Sequence, residues 1–296
     1  MHQFGFLIFA LLFATLSTHA DDSETAARLE GLGGKVVRTG GIITEIEFRD
    51  SSALGAAEWE AVGGLAGLKK ITVFGKAAGF NDATVPQLLR LKKLESFSAD
   101  GAQLTDEGLR TMAGCKSLRA VAFFHLSFRM EGFTGEGFAA WAAMPNLEKL
   151  TVAGMSMGDA GFAAIAKITT LKELRTWHTY QTEAANAMIA GLPNLSSLML
   201  GQRLPGQSRP LSLTDESLAT IAKMKSLESL EIGESRFSLE ALRQLGALPN
   251  LKKLKITRTE ISAEDVELLR TDLPNVKIDF QPLTDEQRKQ LEMYLK

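Results

Sequence analysis

The sequence predicts an α/β fold, a curved solenoid with parallel strands on its concave face and helices on its convex face. Three observations lead to this prediction. A nine-residue apolar pattern with leucine at its fourth position returns eight times, its starts lie 24 to 32 residues apart, and helical patterns occupy several of the gaps. One such unit cannot bury its own leucines, whereas stacked units share a continuous core. The repeats account for most of the 296 residues, so we expect one domain without a linker.

The chain opens with an uncharged apolar run of thirteen residues, 4–16. A helix needs about 20 apolar residues to span a bilayer, so this run is too short. It is typical of a secretory signal peptide, and the small residues Thr18 and Ala20 favour cleavage after Ala20. Residues 1–20 are therefore predicted to be a signal peptide, and the protein to be exported, periplasmic or secreted, with no membrane span once the leader is removed. An uncleaved anchor and a buried N-terminal helix are the alternatives.

Residues 21–40 are predicted to form an N-terminal cap, because the open end of a solenoid needs a cover. Residues 24–32 have the pattern of a short helix, and the glycine-rich stretch 31–34 is interpreted as a turn before the first strand. A phosphate-binding glycine loop would follow a strand, whereas this stretch precedes one.

The repeats are predicted to span residues 41–282, in about ten units. Within the nine-residue pattern, position 1 is apolar, position 4 is leucine in all eight copies and position 7 is apolar. Position 9 is large and apolar except at Ala99 and Thr176. An earlier unit begins at Ile43, and a shortened unit begins at Leu273. The alternation at positions 7 and 9 predicts a strand that buries every second residue.

Each strand is predicted to be followed by a helix. The clearest helical stretches are residues 104–114, 157–167, 213–223, 237–247 and 261–270. Hydroxyl residues stand at the N-cap positions of four of them, namely Thr105, Thr214, Ser238 and Ser262. Acidic residues in the first turns suit the positive end of the helix dipole, so N-capping explains the recurring TDE triplets better than a metal site does. Residues 283–296 are predicted to be a C-terminal capping helix with Thr284 as its N-cap.

The strand pattern LxxLxxLxL, with a period near 24 residues, resembles that of leucine-rich repeat proteins. The helical half of each unit resembles ribonuclease-inhibitor-like and GALA-type repeats, and the chain is similar to bacterial secreted proteins that carry L-T-D-x-G-L repeats. The resemblance covers roughly residues 28–290. The asparagine that many such families place after the strand is missing here, so we do not expect that asparagine ladder.

Composition and motifs argue against several classes of function. The formal net charge is −2, so no basic field favours nucleic acid. The single cysteine, Cys115, excludes a disulfide within the chain and a zinc site built on cysteines, and its apolar repeat position predicts burial. No nucleophile elbow, P-loop, zinc-protease or EF-hand motif is present. The sequence therefore predicts no catalytic residues, no metal site and no cofactor.

Function is then expected on the exposed surface. Positions 8 and 10 point out of the concave face, and position 10 carries the aromatic residues Phe74, Phe124 and Trp177. Exposed aromatic groups mark contact sites more often than other surface does, with packing against neighbouring loops as the alternative. Two units are lengthened after their strands, at residues 124–130 and 202–210, and such insertions are either part of a binding edge or neutral. The candidate ligand-binding residues are Phe74, Phe124, His125, Trp177, His178, Tyr180 and Arg203.

These observations favour an exported, non-enzymatic recognition module that binds a protein or peptide through its concave face and edge loops. Carbohydrate or cell-envelope binding is the alternative, because Phe124, Trp177 and Tyr180 would serve as stacking platforms. A hydrolase that uses His125 or His178 is a remote third hypothesis. The two histidines lack an acidic third ligand nearby in the sequence, so they are interpreted as rim residues and not as metal ligands.

Overall fold

The computed structural model describes residues 22–128, 130–205 and 210–296. The predicted signal peptide, residues 1–20, lies outside them. Helix α1 covers residues 22–31 and is followed by a turn at residues 32–33. This turn corresponds to the glycine-rich stretch that the sequence places before the first strand.

Eleven strands form one sheet in which neighbours in sequence are also neighbours in space. Strands β2 to β11 pair in parallel. Strand β1, which the sequence does not predict, pairs antiparallel with β2 and has a bulge at Val37 and Arg38, a feature that discourages pairing with other chains. The strands are β1 Lys35–Thr39, β2 Ile42–Phe48, β3 Lys70–Val73, β4 Ser96–Asp100, β5 Ala120–Phe124, β6 Lys149–Ala153, β7 Glu173–Trp177, β8 Ser197–Leu200, β9 Ser229–Gly233, β10 Lys253–Thr257 and β11 Lys277–Phe280.

Helices follow the strands and cover the convex side of the sheet. Two units contain only a 3-10 helix, Val85–Arg90 or Glu136–Ala143, and a third 3-10 helix, Gln244–Ala247, extends α7. The α-helices are α2 Ala56–Val62, α3 Asp106–Met112, α4 Asp159–Ile165, α5 Ala184–Ala190, α6 Asp215–Ile221, α7 Leu239–Arg243, α8 Ala263–Asp272 and α9 Asp285–Leu295. The fold is a leucine-rich-repeat solenoid, as the sequence predicts.

Positions 4, 7 and 9 of the units form the core between the sheet and the helices. The leucine at position 4 is buried in all eight copies, with at most 5% of its surface exposed. Positions 7 and 9 are buried throughout, and Cys115 is buried at its position 1 as predicted. Side chains alternate along a strand, so positions 6, 8 and 10 emerge on the concave face.

Acidic residues at the helix starts join one unit to the next. Asp159 accepts hydrogen bonds from the backbone nitrogen and the hydroxyl of Thr182, at 2.8 and 2.7 Å. Asp215 holds Ser238 in the same way, at 3.0 and 2.7 Å. The same arrangement joins Asp82 to Thr105 and Asp106 to Thr134. In the triplet 105–107, Thr105 therefore caps its own helix and Asp106 fixes the start of the next helical segment.

Asparagine side chains form a second series of links between units. The Nδ2 atoms of Asn146, Asn194 and Asn250 each donate to a backbone carbonyl of the preceding unit, at 2.8 Å in all three cases. These residues belong to the LPN or MPN segments that precede the strands. The asparagine links thus lie before the strand and not after it, which agrees with the missing asparagine after the strands.

Candidate ligand-binding edge

The aromatic residues that the sequence singles out come together where the strands end. Phe74, Phe124 and Trp177 are each half-buried at position 10 of their units, and we call them the aromatic patch. The ring centroids of Phe74 and Phe124 lie 5.8 Å apart at an interplanar angle of 76°. Those of Phe124 and Trp177 lie 6.0 Å apart at 57°. The three rings form one continuous apolar surface.

The rings touch although their strands are not adjacent. Phe124 and Trp177 end β5 and β7, and Phe74 directly follows β3. Alternate strands of a sheet are about 9.6 Å apart. Position 10 of the intervening strands is occupied by Asp100 in β4 and Ala153 in β6, directly beside Phe124 on either side. Because these side chains are short, the large rings lean towards each other across them.

The loop after β5 places His125 beside Asp100. The Nδ1 atom of His125 lies 2.8 Å from Oδ1 of Asp100, and Phe128 meets the imidazole edge-on with ring centroids 6.2 Å apart. The side chain of His125 is 62% exposed and that of Asp100 is 33% exposed. We call the aromatic patch together with Asp100 and His125 the open edge.

The loops after β7 to β10 form a different surface, which we call the covered edge. It consists of His178, Gln202, Glu234 and Arg258. The Nε2 atom of His178 lies 2.9 Å from Oε2 of Glu234, and the Arg258 guanidinium lies 2.7 Å from Oε1 of Glu234. The side chain of Glu234 is only 3% exposed. A carboxylate is tolerated at this depth because both of its oxygens have polar or charged partners.

Helix α9 lies over the covered edge. The Tyr294 ring stacks on the His178 imidazole, with centroids 4.8 Å apart and planes 15° from parallel. Burial of the Tyr294 hydroxyl, and after it the negative charge of Glu234, raises the pKa of Tyr294. Leu291 is the buried residue of the helix.

Ion pairs attach the rest of α9 to the loops after β9 and β10. Arg288 lies 3.0 Å from a carboxylate oxygen of Glu260, and Glu292 pairs with Arg236. Glu260 also accepts from the Arg236 guanidinium at 2.5 Å. These contacts place α9 along the edge of the solenoid that the loops after β9 and β10 form.

Arg203, a candidate ligand-binding residue, is 2% exposed and directly follows Gln202 of the covered edge. Its Nε atom donates to the carbonyl of Pro210 at 2.9 Å. A terminal nitrogen lies 3.2 Å from the carbonyl of Leu204 and 3.4 Å from that of Tyr294. The guanidinium therefore joins the two ends of the 202–210 insertion to α9.

The seven candidate residues thus fall into separate groups. Four of them, Phe74, Phe124, His125 and Trp177, lie together on the open edge, whereas His178 and Arg203 lie beneath α9. Tyr180 is half-buried on the loop after β7, where its backbone nitrogen donates to the carbonyl of Met157 at 2.7 Å.

The two edges share one backbone conformation and differ in the residues that adopt it. The residue after position 10 has a positive φ angle at Gly75, Gly101 and Gly154, and also at His125, His178, Glu234 and Arg258. Glycine adopts this conformation at little cost, whereas other residues pay about 1–3 kcal/mol. At His178 this conformation accompanies the contacts with Tyr294 and Glu234, at Glu234 and Arg258 their ion pair, and at His125 the contact with Asp100.

A separate cavity of about 400 Å³ lies on the concave face near the C-terminal end. Lys255 and Glu231 pair across it at 3.0 Å, and Gln287 of α9 closes one side. The remaining lining residues are Met199, Ile256, Thr257, Arg258, Asp279 and Gln281. Its lining is mostly polar, in contrast to the aromatic patch.

The chemical groups at both edges are suited to binding. Each histidine is paired with a carboxylate, but no Ser, Thr or Cys side chain of the described residues hydrogen-bonds to either imidazole. Ser127, the nearest hydroxyl in sequence to His125, is buried and donates to the carbonyl of Leu104. Burial raises the pKa of the Cys115 thiol to about 12, so it is no activated nucleophile. Within the described ranges there is no group of three metal-ligating side chains. None of the helices described is long and apolar enough to cross a membrane.

Sequence reasoning missed several residues of these surfaces. Asp100 stands at position 10 between two aromatic residues, and that placement was the available signal for it. Glu234 and Arg258 occupy the same repeat position as His178, one after the strand, so comparing that position across units indicates the covered edge. No sequence pattern pointed to Tyr294, whose partner lies more than a hundred residues earlier in the chain.

Comparison with known proteins yields only distant similarity. The chain is similar to an internalin, inlF, from Listeria monocytogenes, with 14% identity and a TM-score of 0.42 over 76% of this chain and 71% of that one. It is also similar to internalin C2 of the same species, with 17% identity and a TM-score of 0.43 over 69% of this chain and 84% of that one. No protein-family model and no curated protein matches the sequence. Similarities of this size do not transfer a function from these proteins to this chain.

Proposed function

We propose that the protein is an exported, non-enzymatic recognition module that binds a protein or peptide at the open edge of its concave face. The observation that carries this proposal is the aromatic patch, three touching rings that remain partly exposed on a face with few other large apolar groups. Large rings at a concave surface provide much contact area for little loss of side-chain entropy, and residues of this type dominate the binding energy of interfaces.

Within this proposal the candidate residues have two roles. Phe74, Phe124, His125 and Trp177 contact the ligand directly, with Tyr180 on the neighbouring loop as a further contact. His178 and Arg203 hold α9 against the loops, and so define where the ligand surface stops.

Carbohydrate or cell-envelope binding is the second candidate, because the patch contains exposed aromatic rings. A sugar stacks on the flat face of a ring. Here Phe74 and Phe124 meet nearly at right angles, so an edge of one ring occupies part of the face of the other. This arrangement favours the branched or cationic side chains of a protein ligand over a row of sugar rings.

Selection from a random peptide display library, in parallel with a glycan array, tests the proposal. Peptides selected on the wild-type protein are expected to bind Trp177→Ala at least ~30-fold more weakly, since an aromatic anchor contributes about 2 kcal/mol or more. The control is the double variant Lys253→Ala/Lys255→Ala, which alters the same concave face near the polar cavity. Peptides that need the two lysines and not Trp177 contradict the assignment, and glycans that need Trp177 favour the second candidate. Phe74→Ala replaces Trp177→Ala if the latter fails to fold.

Export requires its own test. N-terminal sequencing of protein recovered outside the cytoplasm is expected to begin at Asp21. Retention of Met1 in that material contradicts cleavage, and confinement of the protein to the cytoplasm contradicts export.

A further inference from the structure

We propose that the open edge recognises a basic side chain of its protein or peptide ligand, an arginine in preference to a lysine, held between the aromatic patch and the carboxylate of Asp100. This inference rests on the proposed function and specifies the chemistry of the ligand. The acidic residue that lies among the rings is Asp100.

Asp100 lies at the base of the patch. It pairs directly with Phe124 in the sheet register, and on its other side Phe74 directly follows β3, whose last residue, Val73, pairs with Ala99. Since the rings of Phe74 and Phe124 bridge two strands with their centroids 5.8 Å apart, they lean over the position that Asp100 occupies. On the other side of Phe124, position 10 of β6 is Ala153. There the rings of Phe124 and Trp177 lean over a methyl group instead of a carboxylate.

The contacts of Asp100 leave one of its carboxylate oxygens available to a ligand. One carboxylate oxygen contacts His125, and the other accepts no hydrogen bond from the described residues. Apart from Asp100 and Phe124, the concave positions of β4 and β5 are Ser96, Ser98, Ala120 and Ala122, all uncharged. On β3 the only charged concave residue is Lys70, which lies 3.4 Å from Glu45 and so is already paired.

These contacts restrict the chemical groups that can bind on the aromatic patch. A purely apolar group placed on the patch would remove water from Asp100 without replacing its hydrogen bonds, and burying an unpaired carboxylate is costly. A cation offsets that cost by pairing with the carboxylate, and it is also attracted by the negative faces of the rings. Arginine suits both, because a planar guanidinium stacks on aromatic rings and at the same time donates to a carboxylate.

The test uses the peptides selected on the wild-type protein. Those whose binding depends on Trp177 are expected to contain an arginine, and its replacement by citrulline, a neutral group of nearly the same shape, is expected to weaken binding at least ~10-fold. Asp100→Asn should weaken the arginine peptide by a similar factor and leave the citrulline peptide unaffected. Asp279→Asn, which removes an exposed acidic group on the same face, is the matched control and should change neither.

The outcomes separate this inference from the proposed function. Peptides that depend on Trp177 but contain no basic residue, or bind Asp100→Asn as tightly as wild type, overturn the inference and leave the proposed function standing. Basic peptides that respond to Asp279→Asn instead of Asp100→Asn also overturn it. If no selected peptide depends on Trp177 or Phe74, the proposed function itself fails.

Discussion

The open edge and the covered edge are built from the same repeat, yet they present opposite surfaces. Around β3 to β7 the residue after position 10 is mostly glycine, and the aromatic rings at position 10 stay partly exposed. Along β7 to β10 the same position carries His178, Glu234 and Arg258, and Tyr294 of α9 stacks on His178. Position 10 there is glycine in two units, Gly201 and Gly233.

This exchange of residue types has a packing reason. A Cβ atom added at Gly201 would lie 2.6 Å from Cβ of Trp177, and one added at Gly233 would lie 2.7 Å from the Thr257 backbone oxygen. Without side chains at position 10, the following residue and α9 occupy the edge. The difference between the two regions shows that one part of a solenoid edge can stay partly exposed while a helix of the same chain packs on another part.

Leucine substitutions in the core should show that the two regions differ only at their edges. Leu147→Ala lies beneath the open edge and Leu195→Ala beneath the covered edge, and both side chains are fully buried. Each should lower the free energy of unfolding by ~2–5 kcal/mol, as other buried Leu→Ala changes do. Chemical denaturation measures this, and since repeats couple mainly to their neighbours the loss should appear in part as an early local transition. A loss below about 1 kcal/mol at both sites would contradict a continuous core.

Replacing each histidine by the glycine found at the same position of other units should separate the edges. His178→Gly removes the stack on Tyr294 and the contact with Glu234, so the amides of α9 are expected to exchange with solvent at least ~10-fold faster, equivalent to about 1.4 kcal/mol. His125→Gly is the matched control, because it relieves the same backbone conformation and touches nothing in α9. Equal protection of α9 in both variants would show that the covered edge does not hold the helix.

Acid should weaken the attachment of α9 by protonating Glu260. The expected effect is smaller than that of His178→Gly. The hydrogen bond from Arg236, and then the charges of Arg236 and Arg288, lower the pKa of Glu260. A lowered pKa in the folded state means that the stabilisation is present above the ordinary glutamate value, about 4.3, and is lost as the pH falls through the folded value. Glu260→Gln should therefore reduce the protection of α9 at pH 7 and have no effect once Glu260 is fully protonated.

The control for this prediction is Glu264→Gln, an exposed change in the first turn of α8. Amide exchange is compared between variants at each pH, because intrinsic exchange rates themselves change with pH. A difference between Glu260→Gln and wild type that persists unchanged in acid would show that Glu260 acts without its charge.

Much of the fold could be predicted because it depends on local patterns. The leucines of position 4, the alternation at positions 7 and 9 and the hydroxyl N-caps each predict their own element, and eight copies in register predict the stack. Strand β1 escaped prediction because its five residues belong to no repeat and pair with β2 in antiparallel fashion. The links from Asp159 to Thr182 and from Asp215 to Ser238 escaped it because the partners lie 23 residues apart and meet only in the stack.

For the candidate site, the sequence by itself determined which side chains face the concave surface, since a period of two residues along a strand decides inward or outward direction without any knowledge of the rest. It did not determine which of them remain accessible. That depends on the path of α9, and the contacts of Tyr294 with His178 and with Arg203 join residues about 90 to 116 positions apart. Only the tertiary structure decided that Phe74, Phe124 and Trp177 stay open while His178 and Arg203 are covered, because a short polar helix with one buried residue takes its position from its partners and not from its own sequence.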